Sequence, residues 1–360
     1  MQAPCIEVYG MKWAVPQYER AEVNHAGQLL ISNDATMSVD ERDDMLQVIN
    51  NWRSAHGFPL QCMKMTLSNR ARKIDKNATV AQRLKRLSSI DAKLRQQEWM
   101  KLSQMQDIGG CRAIVGSIRG VRKIARAYKK HSKHGLAKQN DYITEPKDDG
   151  YRSYHLVYRY CSTAKKHKVY SDLKIEIQLR TRLQHAWATA VETVATFSGQ
   201  PLKSGGGRED WRRFFALMSS AIAFREGCPP VPGTPVQMDD LVKELRELTK
   251  KLKVENVLKG WRQSLVYLPT KDAANAVAFL LELDPSGDTP TVKYTGFTKE
   301  NLRRAPNYYL AREKKIAADG PASAQVVLVS TSSIKALRTA FPNYHLDTTV
   351  FIEALNYAIK

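Results

Sequence analysis

The sequence predicts an α+β protein, a mixed β-sheet flanked by helices, followed by a small C-terminal α/β domain. Three observations predict it. Across residues 170–179, aliphatic Leu173, Ile175, Ile177 and Leu179 alternate with Lys174, Glu176 and Gln178, and Arg180 continues the polar series. That is the period-2 pattern of a strand with one polar face. Short apolar runs at residues 111–115 and 155–160 are set off from it by stretches of helical period. A Pro-rich segment at residues 228–237 then opens a region where strand-like and helix-like runs alternate.

Taken in order, residues 1–60 read as helical with loops. Met45, Val48, Ile49 and Trp52 fall at i, i+3, i+4 and i+7, so residues 39–56 are expected to form an amphipathic helix begun at Ser38. A second helix is expected over residues 63–73. Thr79 reads as the N-cap of a third, carrying Val80, Leu84 and Leu87 inside and Arg83, Lys85 and Arg86 on its sides. Asp107-Ile108-Gly109-Gly110 leads into the strand at 111–115, and a basic helix over 118–135 ends at Gly135. Strands at 155–160 and 170–179 precede a helix over 181–197, in which His185 and Glu192 share a face. Gly205-Gly206-Gly207 reads as a flexible connector; it lacks the Gly-Lys-Ser/Thr ending of a phosphate loop. A Trp/Phe-rich helix is expected over 210–225 and a mixed-charge helix over 239–258. Strands at 264–268, 292–297 and 326–330 then alternate with helices at 272–283, 299–318 and 332–341. The expected division is residues 1–227, a linker and helix over 228–260, and a C-terminal domain over 261–360. That last domain shows no clustered His, Asp or Glu, so a regulatory or partner-binding role is expected for it.

A formal charge of +20 over 360 residues implies polyanionic partners such as nucleotides or RNA. The excess is local. Residues 64–101 carry eleven Lys or Arg against three acids, and residues 119–138 carry eight with no acid. The five cysteines are scattered, odd in number and without a C-x-x-C pair, which argues for free thiols in a reducing cytoplasm rather than a disulfide framework or zinc site. No apolar run approaches the roughly 18 residues that cross a bilayer, so no membrane partner is expected.

Candidate chemistry gathers in residues 141–155. Pro146 and Gly150 punctuate a loop that offers Lys147, Tyr151, Arg152 and His155: cations for phosphate and a ring for a base. The same residues would also suit a basic surface hairpin whose Tyr packs inward. Two acids stand out elsewhere. Asp107 lies at the mouth of a strand, and Glu176 lies mid-strand on the polar face. Mg²⁺ requires one or two such carboxylates, with waters and substrate phosphates completing its shell. Pairing of the two acids with Arg112 and Arg180 is the alternative.

Four ordered motifs carry a resemblance. They are Arg83-x-Lys85-x-x-x-Ser89-Ile90-x-x-Lys93; Gln106-Asp107-Ile108-Gly109-Gly110-Cys111-Arg112; Asp141-Tyr142-Ile143 with Pro146-Lys147 and Gly150 to His155; and Glu176-Ile177-Gln178-Leu179-Arg180-Thr181 followed by His185, Trp187 and Glu192. Over roughly residues 60–200 the set resembles the nucleotidyltransferase-like synthetase domain of the RelA/SpoT family of (p)ppGpp synthetases. The resemblance implies pyrophosphate transfer from ATP to the 3′-hydroxyl of GDP or GTP with Mg²⁺. It implies that Asp107 and Glu176 hold the metal and carry catalysis, Glu176 orienting or deprotonating the hydroxyl. Arg83 and Arg112 would sandwich adenine, and Lys85, Ser89 and Lys93 would meet phosphate. Tyr151 would stack on the acceptor base, with Lys147, His155 and Gln178 positioning that nucleotide.

One departure bears on the substrate. Where the family loop reads Pro-Lys-x-Asn-Gly-Tyr, this chain has Asp149, which accepts hydrogen bonds but cannot donate one. Some small relatives instead pyrophosphorylate the 3′ end of tRNA and are restrained by a fused C-terminal domain, and the basic run at 119–138 would suit tRNA phosphates. An adenine product is the other option, and small members often form homo-oligomers. No His-Asp dipeptide occurs, so the family's hydrolase domain is not expected.

Overall fold

The computed structural model of the protein describes residues 5–8, 11–32, 36–97, 99–197, 209–267, 276–284, 291–305, 308, 311–312, 315, 325–330 and 344–360. By contact these residues group into two units. The first comprises residues 1–141 and 153–181, the second residues 142–152 and 182–360.

The first unit opens with a hairpin, β1 (Cys5–Val8) and β2 (Met11–Ala14), where only helices and loops were expected. Helices α1 (Arg20–Ser32), α2 (Val39–Ala55) and α3 (Gly57–Ile74) follow. The α2 helix starts at Ser38 as its sequence predicts. Ser38 Oγ accepts from the Glu41 N–H, while the Glu41 carboxylate accepts from the Ser38 N–H, a reciprocal capping box.

The sheet has five strands in the order β3-β4-β7-β6-β5. They are β3 (Thr79–Leu84), β4 (Gly109–Val115), β5 (Gly135–Asp141), β6 (Tyr154–Arg159) and β7 (Lys174–Thr181). β4 and β7 run parallel and every other pairing is antiparallel, so the sheet is mixed, as expected. Two helices connect it, α4 (Leu87–Gln96) and α5 (Ile118–His131).

Two expectations fail here. Residues 79–84 form an edge strand rather than a helix, because Thr79 through Leu84 pair residue by residue with Ile114 through Gly109. The motif carrying Arg83 and Lys93 is therefore a strand, a turn and a helix. The basic helix also stops at His131, and Gly135 begins an exposed edge strand that the sequence reading missed.

Strand alternation gives the sheet two unlike faces. Register aligns Arg83, Gly110, Glu176 and Val157 in one row, and Ala81, Arg112, Gln178 and His155 in the next. This polar side is called the front. On the rear, Cys111, Ile177, Leu156 and Tyr158 are buried beneath α3 and α5. The Tyr128 ring of α5 lies 5.8 Å from Tyr158, and its hydroxyl donates to the Met63 carbonyl of α3 at 3.3 Å. Gly109 leaves room for the Ile175 side chain and the start of α3, since a Cβ there would meet Ile175 Cδ1 at 2.7 Å, His56 Cβ at 3.4 Å and Leu60 Cβ at 3.7 Å.

The second unit contains α6 (Arg182–Phe197), α7 (Glu209–Glu226), α8 (Met238–Leu252), α9 (Val254–Tyr267), α10 (Tyr344–Ala358) and the antiparallel sheet β10-β8-β9. Its strands are β8 (Ala276–Asp284), β9 (Thr291–Thr298) and β10 (Gln325–Ser330). Trp187, Phe214, Leu241, Trp261, Phe279 and Phe351 share one core. That core draws on residues from both sides of the Pro-rich stretch. The stretch itself is anchored, with Ser220 Oγ accepting from the Val231 N–H at 2.8 Å.

Residues 264–267 continue a helix where a strand was expected. Residues 276–284 form a strand where a helix was expected, because the apolar run 276–281 suits the central strand of a sheet. The expected helix at 332–341 lies outside the described residues, as do nine of the twenty residues of that at 299–318.

Candidate active site

In the first unit, two carboxylates are held in contrasting ways. Asp107 lies just before β4, where Lys85 Nζ donates to its Oδ2 at 2.7 Å and Lys93 Nζ to its Oδ1 at 2.8 Å. Lys85 follows β3, and its backbone N–H donates to the Ile108 carbonyl at 2.7 Å. Lys93 comes from α4, whose Ile90 and Leu94 are buried with Leu102 and Ile108. That packing fixes the helix so that Lys93 reaches Asp107. Burial pushes the Asp107 pKa up, but the two ammonium groups outweigh it and hold the carboxyl below its ordinary value.

Glu176 stands mid-strand on β7. His155 Nδ1 lies 2.9 Å from its Oε1, and Gln178 Nε2 donates to Oε2 at 2.8 Å. Against an ionised carboxylate, the His155 proton sits on Nδ1. Arg180 Nη2 in turn donates to Gln178 Oε1 at 3.2 Å, which fixes the amide with its NH₂ towards Glu176. Burial raises the Glu176 pKa and Asp107 nearby adds to that. Hydrogen bonding and charge from His155, with Gln178, overcome both and leave it lowered. Both acids are thus ionised at neutral pH, and each lies within electrostatic reach of the other.

Arg83 and Arg112 stand on the same face, one row apart. Arg83 and Ser89 are exposed. Arg86, to which no role was assigned from sequence, lies close enough to Arg83 that, after burial, the like charge also lowers its pKa. Arg53 of α2 donates from Nε to the Lys85 carbonyl at 2.9 Å. It lies outside every motif, and no sequence signal pointed to it. Arg180 was legible, because strand period already put it beside Gln178.

Lys147, Asp149 and Tyr151 belong to the second unit, in the segment 142–152. The Gly150 N–H donates to the Lys147 carbonyl at 2.8 Å, closing a turn, and Asp149 Oδ1 accepts from the Tyr151 N–H at 2.8 Å. Gly150 has φ +90°, and a Cβ would meet Ser219 Cβ at 2.9 Å and Trp187 Cζ2 at 3.0 Å. Only glycine satisfies both the angle and the space. Lys147 Nζ lies 5.0 Å from the Tyr142 ring centre and 5.5 Å from that of Tyr151, and the two rings meet edge to face.

Arg152 is not a phosphate-facing cation. It is 2% exposed, and its guanidinium donates to Ser219 Oγ, the Ile143 carbonyl and the Pro229 carbonyl at 2.9, 3.1 and 2.6 Å. Burial pulls its pKa down to about 10. Its work is to hold the loop to α7 and the Pro-rich stretch. His185 and Trp187 are likewise buried.

Among the described residues, no group of three or more His, Cys, Asp or Glu could hold a metal ion, so an all-protein cage is excluded there. Two ionised carboxylates within electrostatic reach of each other fit a cation that keeps waters and takes substrate oxygens, which is the habit of Mg²⁺.

Residues 82–199 match the family model described as "Region found in RelA / SpoT proteins". The chain is 33% identical over 115 residues to GTP pyrophosphokinase YjbM of Bacillus subtilis (strain 168), a match covering 31% of this chain and 52% of that protein. It is 28% identical over 168 residues to GTP pyrophosphokinase YwaC of the same strain, covering 42% of this chain and 79% of that protein. The chain thus spans about half of YjbM's length. Among solved structures, it aligns with small alarmone synthetase 1 from Bacillus subtilis bound to its product pppGpp, at 24% identity and a TM-score of 0.42, over 48% of this chain and 89% of that one.

Proposed function

We propose that this chain, which carries a RelA/SpoT region over residues 82–199, is a pyrophosphokinase that moves the β,γ-pyrophosphate of ATP onto the 3′-hydroxyl of GDP or GTP, making (p)ppGpp. The observation that carries the reading is a pair of ionised carboxylates within electrostatic reach of each other, Asp107 held by two lysines and Glu176 by an imidazole and an amide. Transfer of a phosphoryl-type group needs charge neutralisation and in-line positioning more than covalent chemistry.

In the reaction, the 3′-oxygen bonds to the β-phosphorus of ATP, the bond from that phosphorus to the α,β-bridging oxygen breaks, and AMP leaves. Lys85 and Lys93 are the phosphate ligands of this reading, with Ser89. Triphosphate oxygens would draw the two ammonium groups from Asp107 and free its carboxylate. Asp107 and Glu176 would then hold Mg²⁺, which when bound supplies positive charge against the phosphate oxygens. Each Glu176 oxygen already accepts one hydrogen bond and keeps capacity for another. With its pKa lowered, Glu176 suits orienting the 3′-hydroxyl better than storing its proton. Arg83 and Arg112 are the adenine contacts, and Tyr151, Lys147, Asp149, His155 and Gln178 the acceptor contacts.

A second acceptor class is favoured by one observation. Asp149 spends one oxygen on the Tyr151 N–H; its other oxygen can accept from guanine N1–H and N2–H₂, while the lost amide donor for the guanine carbonyl leaves room for an adenine acceptor. The case for tRNA weakens, because the basic helix that suited it covers the rear of the sheet while Glu176 stands on the front. Incubation with β-labelled ATP and GDP, GTP, ATP or tRNA tests the proposal. Label on free guanosine nucleotides is expected. Label only on an adenosine nucleotide carrying a new 3′-pyrophosphate or on tRNA, or no transfer with ATP bound, overturns it.

A further inference from the structure

We infer that the rear of the first unit's sheet is a docking surface for duplex nucleic acid, recognised through its phosphates. The inference is independent of the proposed reaction. Helix α5 turns Val121, Ile124, Ala125 and Tyr128 inward, all buried, and turns Arg119, Lys123, Arg126, Lys129 and Lys130 outward, all exposed. Arg119, Lys123, Arg126 and Lys130 follow one another at i, i+4, i+7 and i+11, a single stripe about 16 Å long. No acid occurs between residues 119 and 138.

The neighbouring helix extends the field. The C-terminal turn of α3 carries exposed Arg72 and Lys73, and its Ile74 lies 3.6 Å from where a Gly120 Cβ would stand on α5. The acids close by are already engaged, Asp141 with Arg122 and Asp75 with the Gly116 N–H. The stripe therefore keeps its field for a partner.

The same residues choose among polyanions. A membrane-surface helix needs a free apolar face to insert, and that of α5 is spent on the sheet. Single strands are gripped by stacking on exposed aromatics, yet the exposed large aromatics of the described residues (Trp99, Tyr294, Tyr308 and Tyr357) lie on neither α3 nor α5. Tyr128 is buried beneath the Arg70 guanidinium. A regular row of cations without rings suits the backbone of a duplex, read by charge and shape rather than sequence.

The test titrates the full chain with labelled RNA and DNA duplexes of unrelated sequence, with single strands, and with vesicles rich in anionic phospholipid. Duplex binding is expected to lose about a hundredfold between ~50 and ~200 mM salt, which corresponds to about four neutralised phosphates. The RNA and DNA arms identify which duplex is preferred. Lys123→Gln/Arg126→Gln/Lys130→Gln should reduce the log–log salt slope by about three, and the Glu versions should weaken binding at least ~tenfold. Lys243→Gln/Lys250→Gln on α8 should change neither. Absence of duplex binding at ~50 mM salt, a slope untouched by the α5 substitutions, or tighter binding of single strands or vesicles than of duplexes overturns the inference.

Discussion

The front of the first unit's sheet and the segment 142–152 look alike in sequence, since each mixes acids, cations and an aromatic-rich neighbourhood. The molecule uses them in opposite ways. Around the front, Glu176 stands on ordinary strand and takes His155 and Gln178, while Lys85 and Lys93 reach Asp107 from the end of β3 and from α4. In the segment the backbone is the unusual part, with Gly150 at φ +90° and the one buried cation, Arg152, bolted to two carbonyls and a hydroxyl. A cation in a motif can be a reagent or a fastener. Burial and the identity of the acceptor decide which, and neither is written in the motif.

The sharpest way to break the comparison is to remove charge on the front without removing shape. Glu176→Gln should lower transfer by about a thousandfold, the scale of losing one preorganised electrostatic partner, with ATP affinity and melting temperature nearly unchanged. Single-turnover rates beside a thermal melt would measure both. Activity within tenfold of wild type would remove Glu176 from the chemistry. On the fastener side the expected pattern reverses. Arg152→Ala should cost about 3 kcal/mol of stability by stripping a buried hydrogen-bonded charge from its partners. Arg152→Lys should rescue little, because an ammonium cannot reproduce the three-way fork. Chemical denaturation reads this directly, and a loss under about 1 kcal/mol would mean the guanidinium holds little.

How much of this was legible follows the same line. Strand period showed that Glu176, Gln178 and Arg180 share a face, and the ordered motifs drew in Asp107, Lys85 and Lys93. Residues 79–84 misled because Val80, Leu84 and Leu87 match a helical period by accident, while pairing with β4 decides the matter through contacts about thirty residues away. β5 was missed because an exposed edge strand has no apolar alternation to display. In β8 the apolar run Ala276–Leu281 fits buried strand and buried helix equally in sequence. Arg152 was misjudged because charge is visible in a sequence and burial is not.

Tyr151→Ala sharpens the comparison from the loop side. Loss of the ring removes stacking worth ~1–3 kcal/mol, so KM for the acceptor should rise roughly ten- to a hundredfold while KM for ATP stays put. An equal rise in both would take Tyr151 out of the acceptor role. Acid tests the front again. Both carboxylates have folded pKa values below their ordinary 3.8 and 4.5, so the stability they contribute is complete above those values and is lost as pH falls through the lowered ones. Lys85→Met/Lys93→Met removes what holds Asp107 down, and burial then raises its pKa. The acid edge of the unfolding profile should move to higher pH in that variant, and an unmoved edge would show that the lysines do not set the Asp107 titration.

The smallest expected effect lies at Asp149. Its Oδ1 accepts from the Tyr151 N–H, and an amide oxygen can do the same, so Asp149→Asn should keep the turn and change stability by no more than about 0.5 kcal/mol. What changes is the other atom, from a second acceptor to a donor. If Asp149 meets the acceptor base, the ratio of kcat/KM for guanosine over adenosine acceptors should rise by less than about tenfold, the worth of one hydrogen bond of about 1 kcal/mol. A changed ratio with an unchanged melt would make position 149 a specificity residue rather than a turn residue. An unchanged ratio would leave the loop's single departure from the family pattern with only a backbone role.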